Sequence, residues 1–180
     1  MLQALITSKT RIKLLMKFFI NSRNTSYLRD LAAEYGESTN AIRVELNRLE
    51  AAGLLEAQKQ SNKKIFRANV KHPLFESIHQ LLLRHTGIDQ IVDNVVSKLG
   101  ELQQAYLCGR FARGLDGPVI EILLVSTGLN REYLRELTAK AEQMIDRRIS
   151  YRFTTPEEAP MVLRRCPEAL LLYDRSKEGG

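Results

Sequence analysis

Four polar side chains share one face of a predicted helix, and they carry groups that hydrogen-bond to nucleic-acid bases. The helix runs from a cap at Ser38 to about Ala52. Its apolar residues Ile42, Leu46 and Leu49 lie at i, i+4 and i+7, and therefore face inward. The same spacing turns four polar residues outward, namely Thr39, Asn40, Arg43 and Asn47. Arginine pairs with guanine and asparagine with adenine, so this face predicts contact with base edges.

A Lys-rich hairpin is predicted directly after this helix. Gly53 ends the helix, and residues 54–58 and 64–70 alternate loosely around a polar turn, which is typical of two paired strands. The cations at the tip and on the return strand are Lys59, Lys63, Lys64 and Arg67. Cations in such a hairpin contact phosphates or the minor groove and fix the register on the duplex. Arg48 and Ser38 of the helix are also expected at phosphates.

Two earlier helices must position this face. Residues 8–21 form the first, because their apolar residues recur at spacings of three and four. Residues 27–35 form a shorter second helix, which Thr25 or Ser26 is expected to cap and Gly36 to end. Only two residues then precede the cap of the third helix, so the two helices must cross steeply, as in a helix-turn-helix.

Two runs in this part of the chain carry a family resemblance. They are Leu28-Arg29-Asp30-Leu31-Ala32 and the segment 46–55, which resemble the ArsR-like winged-helix regulators of bacteria and archaea. The resemblance implies a DNA-binding winged helix. Metal-sensing members of that family carry Cys or His ligands on a helix. Here His79 and His85 do not share a helical face, so metal sensing is not expected.

Positive charge is concentrated at the N-terminal end. Residues 1–72 hold 13 Lys/Arg and 6 Asp/Glu, whereas residues 73–180 hold 14 and 15, and the net charge of the 180-residue chain is +6. Only the first part has the electrostatic footprint of a polyanion binder. A solvated basic face on an ordinary domain would give the same charge, and the order of the motifs favours DNA.

No apolar run reaches membrane-spanning length and no signal-peptide pattern precedes the first helix, so a cytoplasmic protein without a membrane partner is expected.

Two apolar helices are predicted after the basic part. Pro73 begins the first, and Gly87 divides it from the second, which runs to about Leu102. They form either a dimer seam or the cover of the next domain's core, and the pattern fits both. A homodimer is expected, because one recognition helix spans too few base pairs for specificity. Two copies one helical turn apart would read a palindromic site.

From Gln104 the pattern changes to short strands and helices. Four strands are predicted, at residues 105–108, 119–126, 149–154 and 169–173. Asn130 caps a helix from Arg131 to about Asp146, and residues 155–158 form a capping box for another. A turn bounded by glycines precedes the second strand. It reads Gly109-Arg110-Phe111-Ala112-Arg113-Gly114 and resembles the Gly-Ser-x-Ala-Arg-Gly signature of the minimal nucleotidyltransferases.

This second resemblance covers about residues 100–175. In that family the following strand carries Asp-x-Asp, whose carboxylates hold magnesium ions against a nucleoside triphosphate, and a later strand supplies a third acid. Here Val119 and Glu121 take the Asp-x-Asp positions, Arg152 takes the third, and Arg110 replaces the serine. One acid in place of three does not hold two divalent ions, so we expect no enzymatic activity, no metal and no cofactor. The alternative is a residual nucleotidyltransferase that uses Glu121 and Asp116 with one ion.

The same turn carries a second hypothesis. Its four site residues, which offer guanidinium groups and open backbone N–H groups to the phosphate of a nucleotide or other small-molecule effector, are Gly109, Arg110, Arg113 and Gly114. The alternative is a tight turn whose arginines pair with acids.

Cys108 and Cys166 lie far apart in sequence and are expected to be ordinary buried thiols, outside any disulfide or metal site.

Together these patterns predict the fold class α+β, with a winged helix-turn-helix followed by a small α/β nucleotidyltransferase-like domain. The predicted boundaries are residues 1–72 for DNA binding, 73–102 for the helical linker, and 103–180 for the degenerate domain. The predicted function is sequence-specific regulation of transcription on double-stranded DNA. A module in which the winged helix contacts protein or RNA remains the other alternative.

Overall fold

Short helices and antiparallel strands alternate along the first part of the chain. The computed structural model describes residues 2–177, and the chain divides into two units, residues 1–82 and 83–180. The elements of the first unit are α1 (Leu2–Leu5), α2 (Lys9–Phe19), β1 (Thr25–Tyr27), α3 (Leu28–Tyr35), α4 (Thr39–Ala51), β2 (Leu55–Gln60) and β3 (Lys63–Ala68). Helix α5 (Phe75–Thr86) follows, and the boundary between the units falls within it. The assignment of residues 1–72, 73–102 and 103–180 to separate roles stays a prediction.

The core of the first unit lies where the predicted apolar stripes meet. Phe18 of α2, Leu31 of α3 and Ile42 of α4 have no exposed surface. Leu46 is also fully buried and Leu49 nearly so, which confirms the inward face predicted for α4. Helices α3 and α4 each contribute one apolar face and leave the polar face to solvent, whereas α2 is buried on all sides from Leu14 to Phe19.

The first unit contains a strand where the sequence predicts a helix cap and the start of a helix. Thr25 and Ser26 do not cap α3; with Tyr27 they form β1, which pairs antiparallel with β3 so that Thr25 lies opposite Arg67. The sheet order is β1-β3-β2. The hairpin turn is also tighter than predicted, because pairing continues to Gln60 and Lys63 and only two residues turn the chain. Lys59, Lys63 and Lys64 thus lie on strands.

The second unit is a four-stranded sheet with helices. Its elements are α6 (Ile88–Asn94), a 3-10 turn (Val96–Lys98), β4 (Leu102–Cys108), α7 (Gly109–Ala112), β5 (Val119–Ser126), α8 (Arg131–Ile145), β6 (Arg148–Thr154), α9 (Ala159–Arg164), β7 (Leu170–Asp174) and a last 3-10 turn (Arg175–Lys177). The strand order is β6-β5-β4-β7, and only β5 and β6, which α8 connects, run parallel. The chain as described is therefore α+β, as predicted.

Strand β5 forms the centre of this sheet. Ile120, Ile122, Leu123 and Leu124 are at most 3% exposed, so both of its faces are covered. That burial on two sides explains why its sequence is almost continuously apolar, and the predicted bounds of this strand are confirmed. Asn130 caps α8 as predicted, with its side-chain oxygen accepting from two backbone N–H groups.

Three predicted helix boundaries are wrong. Pro73 lies in a turn, and α5 begins at Phe75. The next helix ends at Asn94 and does not reach Leu102, which instead begins β4. Residues 155–158 form a turn before α9, although the Thr155 hydroxyl oxygen does accept from the Glu158 backbone N–H at 3.3 Å. Within residues 2–177, every helix is too short or too polar to cross a lipid bilayer.

Thr138 on α8 offers a test of the packing in the second unit. Thr138 is 6% exposed. Its hydroxyl oxygen is buried and, among the residues that the structure describes, has no hydrogen-bond partner. We expect Thr138→Val to raise the free energy of unfolding by about 1 kcal/mol, because a methyl group replaces an unsatisfied hydroxyl of the same size. Denaturant unfolding measures this, with Thr138→Ser as the control that keeps the hydroxyl. A valine variant less stable than wild type would contradict it.

Candidate nucleic-acid interface

Helix α4 presents the predicted polar face to solvent. Ser38 caps the helix, and its hydroxyl oxygen accepts a hydrogen bond from the Ala41 backbone N–H at 3.2 Å. Gly53 has a φ of 72° just beyond the helix, the left-handed conformation that favours glycine there. The exposed residues of this face are Thr39, Asn40, Arg43, Asn47 and Arg48. The geometry leaves these side chains accessible, and their contact with DNA stays a prediction.

A groove of about 570 Å³ lies between α4 and the β2–β3 hairpin. The charged and amide side chains that line it are Arg29, Asp30, Arg43, Asn47, Asn62, Lys63 and Lys64, so that four cations and one acid face the groove. The fold thus brings together two predicted residues of α4 and two of β3. The other predicted contact residues do not line this groove, and they are Ser38, Thr39, Asn40, Arg48, Lys59 and Arg67.

Arg29 is a lining residue that the sequence analysis does not assign to the interface. It lies one position after the start of α3, and Tyr27 and Phe66 also contribute to the wall of the groove. Tyr27 is held in place by its hydroxyl, which donates to Gln60, and the Lys63 ammonium lies 5.7 Å from the centre of its ring. This arrangement results from the pairing of β1 with β3, and the spacing of residues along the sequence does not predict that pairing.

The cations of the hairpin and of the neighbouring helices α3 and α4 fall into two groups. Lys64 pairs with Glu50 of α4 at 3.3 Å, and Arg67 pairs with Glu56 at 2.9 Å. Within residues 2–177, Arg29 and Arg43 have neither an ion pair nor a side-chain hydrogen bond. The paired cations are partly neutralised, whereas the unpaired ones leave their full charge to an incoming polyanion.

Glu45 fixes α4 against α2. Its side chain is 8% exposed, and it accepts hydrogen bonds from Arg11 at 2.8 Å and from the Ser8 hydroxyl at 2.9 Å. Arg48, one turn along α4, lies 3.3 Å from the same carboxylate. Burial acts to raise the pKa of Glu45, but the hydrogen bonds from Arg11 and Ser8 outweigh it and hold the pKa below its ordinary value of 4.5.

The glycine-bounded turn of the second unit is held by bonds within the protein. The Arg110 guanidinium donates twice to the Asp116 backbone carbonyl, at 3.0 and 3.1 Å. The Asp116 carboxylate in turn pairs with Arg147 at 3.0 Å. Gly109 has a φ of 62°, and the Glu121 carboxylate occupies the space where a Cβ on that residue would lie. Arg113 is exposed at the end of α7.

This arrangement does not fit the metal ions that the nucleotidyltransferase resemblance implies. Glu121 lies over Gly109, Asp116 is paired with Arg147, and a cation, Arg152, stands where a third acid is needed. Among the described residues, no group of three or more His, Cys, Asp or Glu side chains is placed to hold a metal ion. The phosphate hypothesis for Gly109, Arg110, Arg113 and Gly114 stays a prediction, with one of its two guanidinium groups already engaged.

Comparison with known proteins gives remote structural similarities. No family model and no curated protein matches the chain. Reduced HlyU from Vibrio cholerae is 18% identical, over 46% of this chain and 82% of its own, with a TM-score of 0.37. A proposed nucleotidyltransferase from Sulfolobus solfataricus is 23% identical, over 61% of this chain and 96% of its own, with a TM-score of 0.38. A mutant of the toxin–antitoxin pair MntA–HpeT is 19% identical, over 51% and 75%, with a TM-score of 0.39. None of these similarities assigns the chain to a family.

The Glu45 cluster predicts both a stability loss and its pH dependence. We expect Glu45→Gln to lower the free energy of unfolding by about 1–3 kcal/mol at pH 7, because Arg11 and Arg48 lose a buried anionic partner. A carboxyl whose pKa is lowered by folding stabilises the protein above its unfolded pKa, and this contribution disappears as pH falls through the folded value. The difference between wild type and variant should therefore be constant above pH 5 and narrow below about pH 4.5.

Urea unfolding between pH 3 and pH 8 measures this difference. The matched control is Glu56→Gln, which removes an exposed ion pair with Arg67 and should change stability by no more than about 1 kcal/mol. Equal effects of the two substitutions, or a difference that does not vary with pH, would contradict the role assigned to Glu45.

Proposed function

We propose that this chain binds double-stranded DNA and regulates transcription. Residues 1–72 act as a winged helix-turn-helix, in which α4 enters the major groove and the β2–β3 hairpin lies beside it. The observation that carries the proposal is the groove in which Arg43 and Asn47 of α4 lie together with Lys63 and Lys64 of the hairpin. Base-reading side chains and phosphate-binding cations on adjoining surfaces are what a duplex requires.

The distribution of charge supports the same proposal. Each acidic residue of α4 has a cationic partner, Arg11 and Arg48 for Glu45 and Lys64 for Glu50. The exposed face of the helix is therefore free of unpaired negative charge. Arg43 and Arg29 keep their charge, and they can displace the counterions of DNA phosphates, which favours binding at low salt.

For the second unit we propose a role in sensing or in protein contact, without catalysis. Arg110 and Asp116 are used to hold the turn, and Glu121 packs on Gly109. A nucleotide or other small effector would therefore meet Arg113, an exposed cation of the turn that is not bonded to Asp116 as Arg110 is. A cytoplasmic location follows from the proposed role on chromosomal DNA.

We further propose that two copies of the chain associate through the segment around the start of α5. Val70 and Leu74 are 55% and 54% exposed, and Ile78 and Leu81 of α5 are only half-buried. Neighbouring apolar residues left in water favour an interface with a second copy. The dimer would place two recognition helices on half-sites about 10 base pairs apart.

Duplex binding at two salt concentrations tests the DNA proposal. Genomic fragments retained by the protein should share a palindrome, and their affinity should fall steeply with salt. Arg43→Ala should cost about 1–3 kcal/mol on the selected site and much less on random duplex. Lys63→Ala should weaken all duplexes alike and reduce the salt slope by about one.

Lys140→Ala is the matched control, since it removes one positive charge from an exposed position on α8. It should leave both the affinity and the salt slope unchanged. Equal retention of all fragments by the wild type would mean non-specific binding. If neither Arg43→Ala nor Lys63→Ala changes duplex affinity, the proposed interface is wrong.

Sedimentation of the full chain tests the dimer. We expect a dimer at micromolar concentration, and a shift to monomer in Leu74→Glu, because a charge at an apolar interface must be desolvated. Met144→Glu is the control, as Met144 is 62% exposed on α8. A monomeric wild type, or dissociation by both substitutions alike, would contradict an interface at Leu74.

A further inference from the structure

The fold brings the two cysteines of the chain together. Cys108 is the last residue of β4, and Cys166 follows α9; both are free thiols. Cys166 packs against the buried cluster that Cys108 forms with Leu123 and Ala169. The sequence predicts two ordinary buried thiols outside any disulfide or metal site; both thiols are free, but only Cys108 is buried. Cys166 is only half-buried, and it packs against the cluster that contains Cys108.

A cation lies beside this pair. A guanidinium nitrogen of Arg152 is 4.0 Å from the Cys166 sulfur, and β6 presents Arg152 opposite Leu123 of β5. A neighbouring guanidinium stabilises a thiolate, which is the form of cysteine that reacts with electrophilic oxidants. Cys166 thus combines partial exposure with a cation at its sulfur, whereas Cys108 is 1% exposed.

Cys108 is suited to the second step of an oxidation. Burial raises the pKa of Cys108 to about 11, and the nearby Cys166 adds to this effect. Its sulfur donates to the Tyr106 backbone carbonyl at 3.8 Å. The thiol therefore stays protonated and shielded from solvent near neutral pH, so it meets a reactive group that forms beside it rather than one arriving from solution.

We propose that Cys166 and Cys108 form a redox site in which a hydroperoxide oxidises Cys166 and Cys108 closes a disulfide with it. In the first step the Cys166 thiolate attacks one peroxide oxygen, the O–O bond breaks, and hydroxide or alkoxide leaves. In the second step the Cys108 sulfur attacks the resulting sulfenic acid, and water leaves with the Cys108 proton. The peroxide is reduced by two electrons, and the two thiols are oxidised by two.

The disulfide would link the residue that precedes the glycine-bounded turn to the segment after α9. Cys108 directly precedes Gly109 and α7, and Cys166 directly precedes the turn into β7. Oxidation would therefore fix the end of β4 to the segment after α9 and constrain the unfolded chain. This inference concerns the second unit alone and does not depend on DNA binding.

Oxidation of the full-length protein by hydrogen peroxide tests the proposal. The expected product is a monomeric chain lighter by two hydrogen atoms, whose unreduced digest contains the Cys108–Cys166 peptide pair and whose thiols return with a dithiol reductant. In Cys108→Ala, Cys166 should stop at a sulfenic acid that a cyclic diketone traps. In Cys166→Ser, Cys108 should not react on the same timescale.

Arg152 gives a readout that a merely structural pair of thiols would not produce. Arg152→Met should slow the loss of the first thiol several-fold, and Arg152→Lys should restore most of the rate because it keeps the charge. Persistence of both thiols in the wild type, disulfides only between chains, or oxidation of Cys166 to a sulfinic acid without the linked peptide would each overturn the proposal. The wild-type digest decides this even if a core variant fails to fold.

Discussion

The proposed DNA-binding surface depends on the ion pairs and the hydrogen bond that the buried Glu45 carboxylate forms with its neighbours. The carboxylate lies on α4, the helix that must approach the polyanion, and an unpaired carboxylate there would repel phosphates. Arg11 and Ser8 of α2 bind it from the inner side and Arg48 from the outer side. One cluster thus fixes the angle of α4 on α2 and removes a negative charge from the exposed surface.

The β2–β3 hairpin is oriented by the same kind of compensation. Lys64 reaches Glu50 on α4, and β1 holds the opposite edge of β3 by backbone hydrogen bonds. These contacts use part of the positive charge to define the groove, while Arg43 and Lys63 remain free of acidic partners within residues 2–177. Lys64, which is paired with Glu50, therefore helps to position Arg43 and Lys63, which are available for binding. This division explains why total charge alone does not identify the interface.

Local patterns in the sequence were sufficient to predict features that depend on the residues of a single helix or strand. The inward face of α4, the bounds of β5 and the Asn130 cap of α8 follow from spacing, continuous apolarity and capping chemistry, and all three agree with the structure. Features made by distant segments could not be predicted in this way. Strand β1 exists because Ser26 pairs with Phe66, and Arg29 reaches the groove only because that pairing positions the start of α3. The packing of Cys166 against the cluster that contains Cys108 is of the same long-range kind.

The side chains on the sheet of the second unit limit the chemistry that this sheet can support. A two-metal site needs several carboxylates facing one another without a neighbouring cation, since only a divalent ion should neutralise them. Arg152 reverses that requirement, because its guanidinium lies at the Cys166 sulfur and within the electrostatic influence of Glu121. The chemistry proposed for this sheet is instead that of sulfur, with the Arg152 guanidinium beside the Cys166 sulfur.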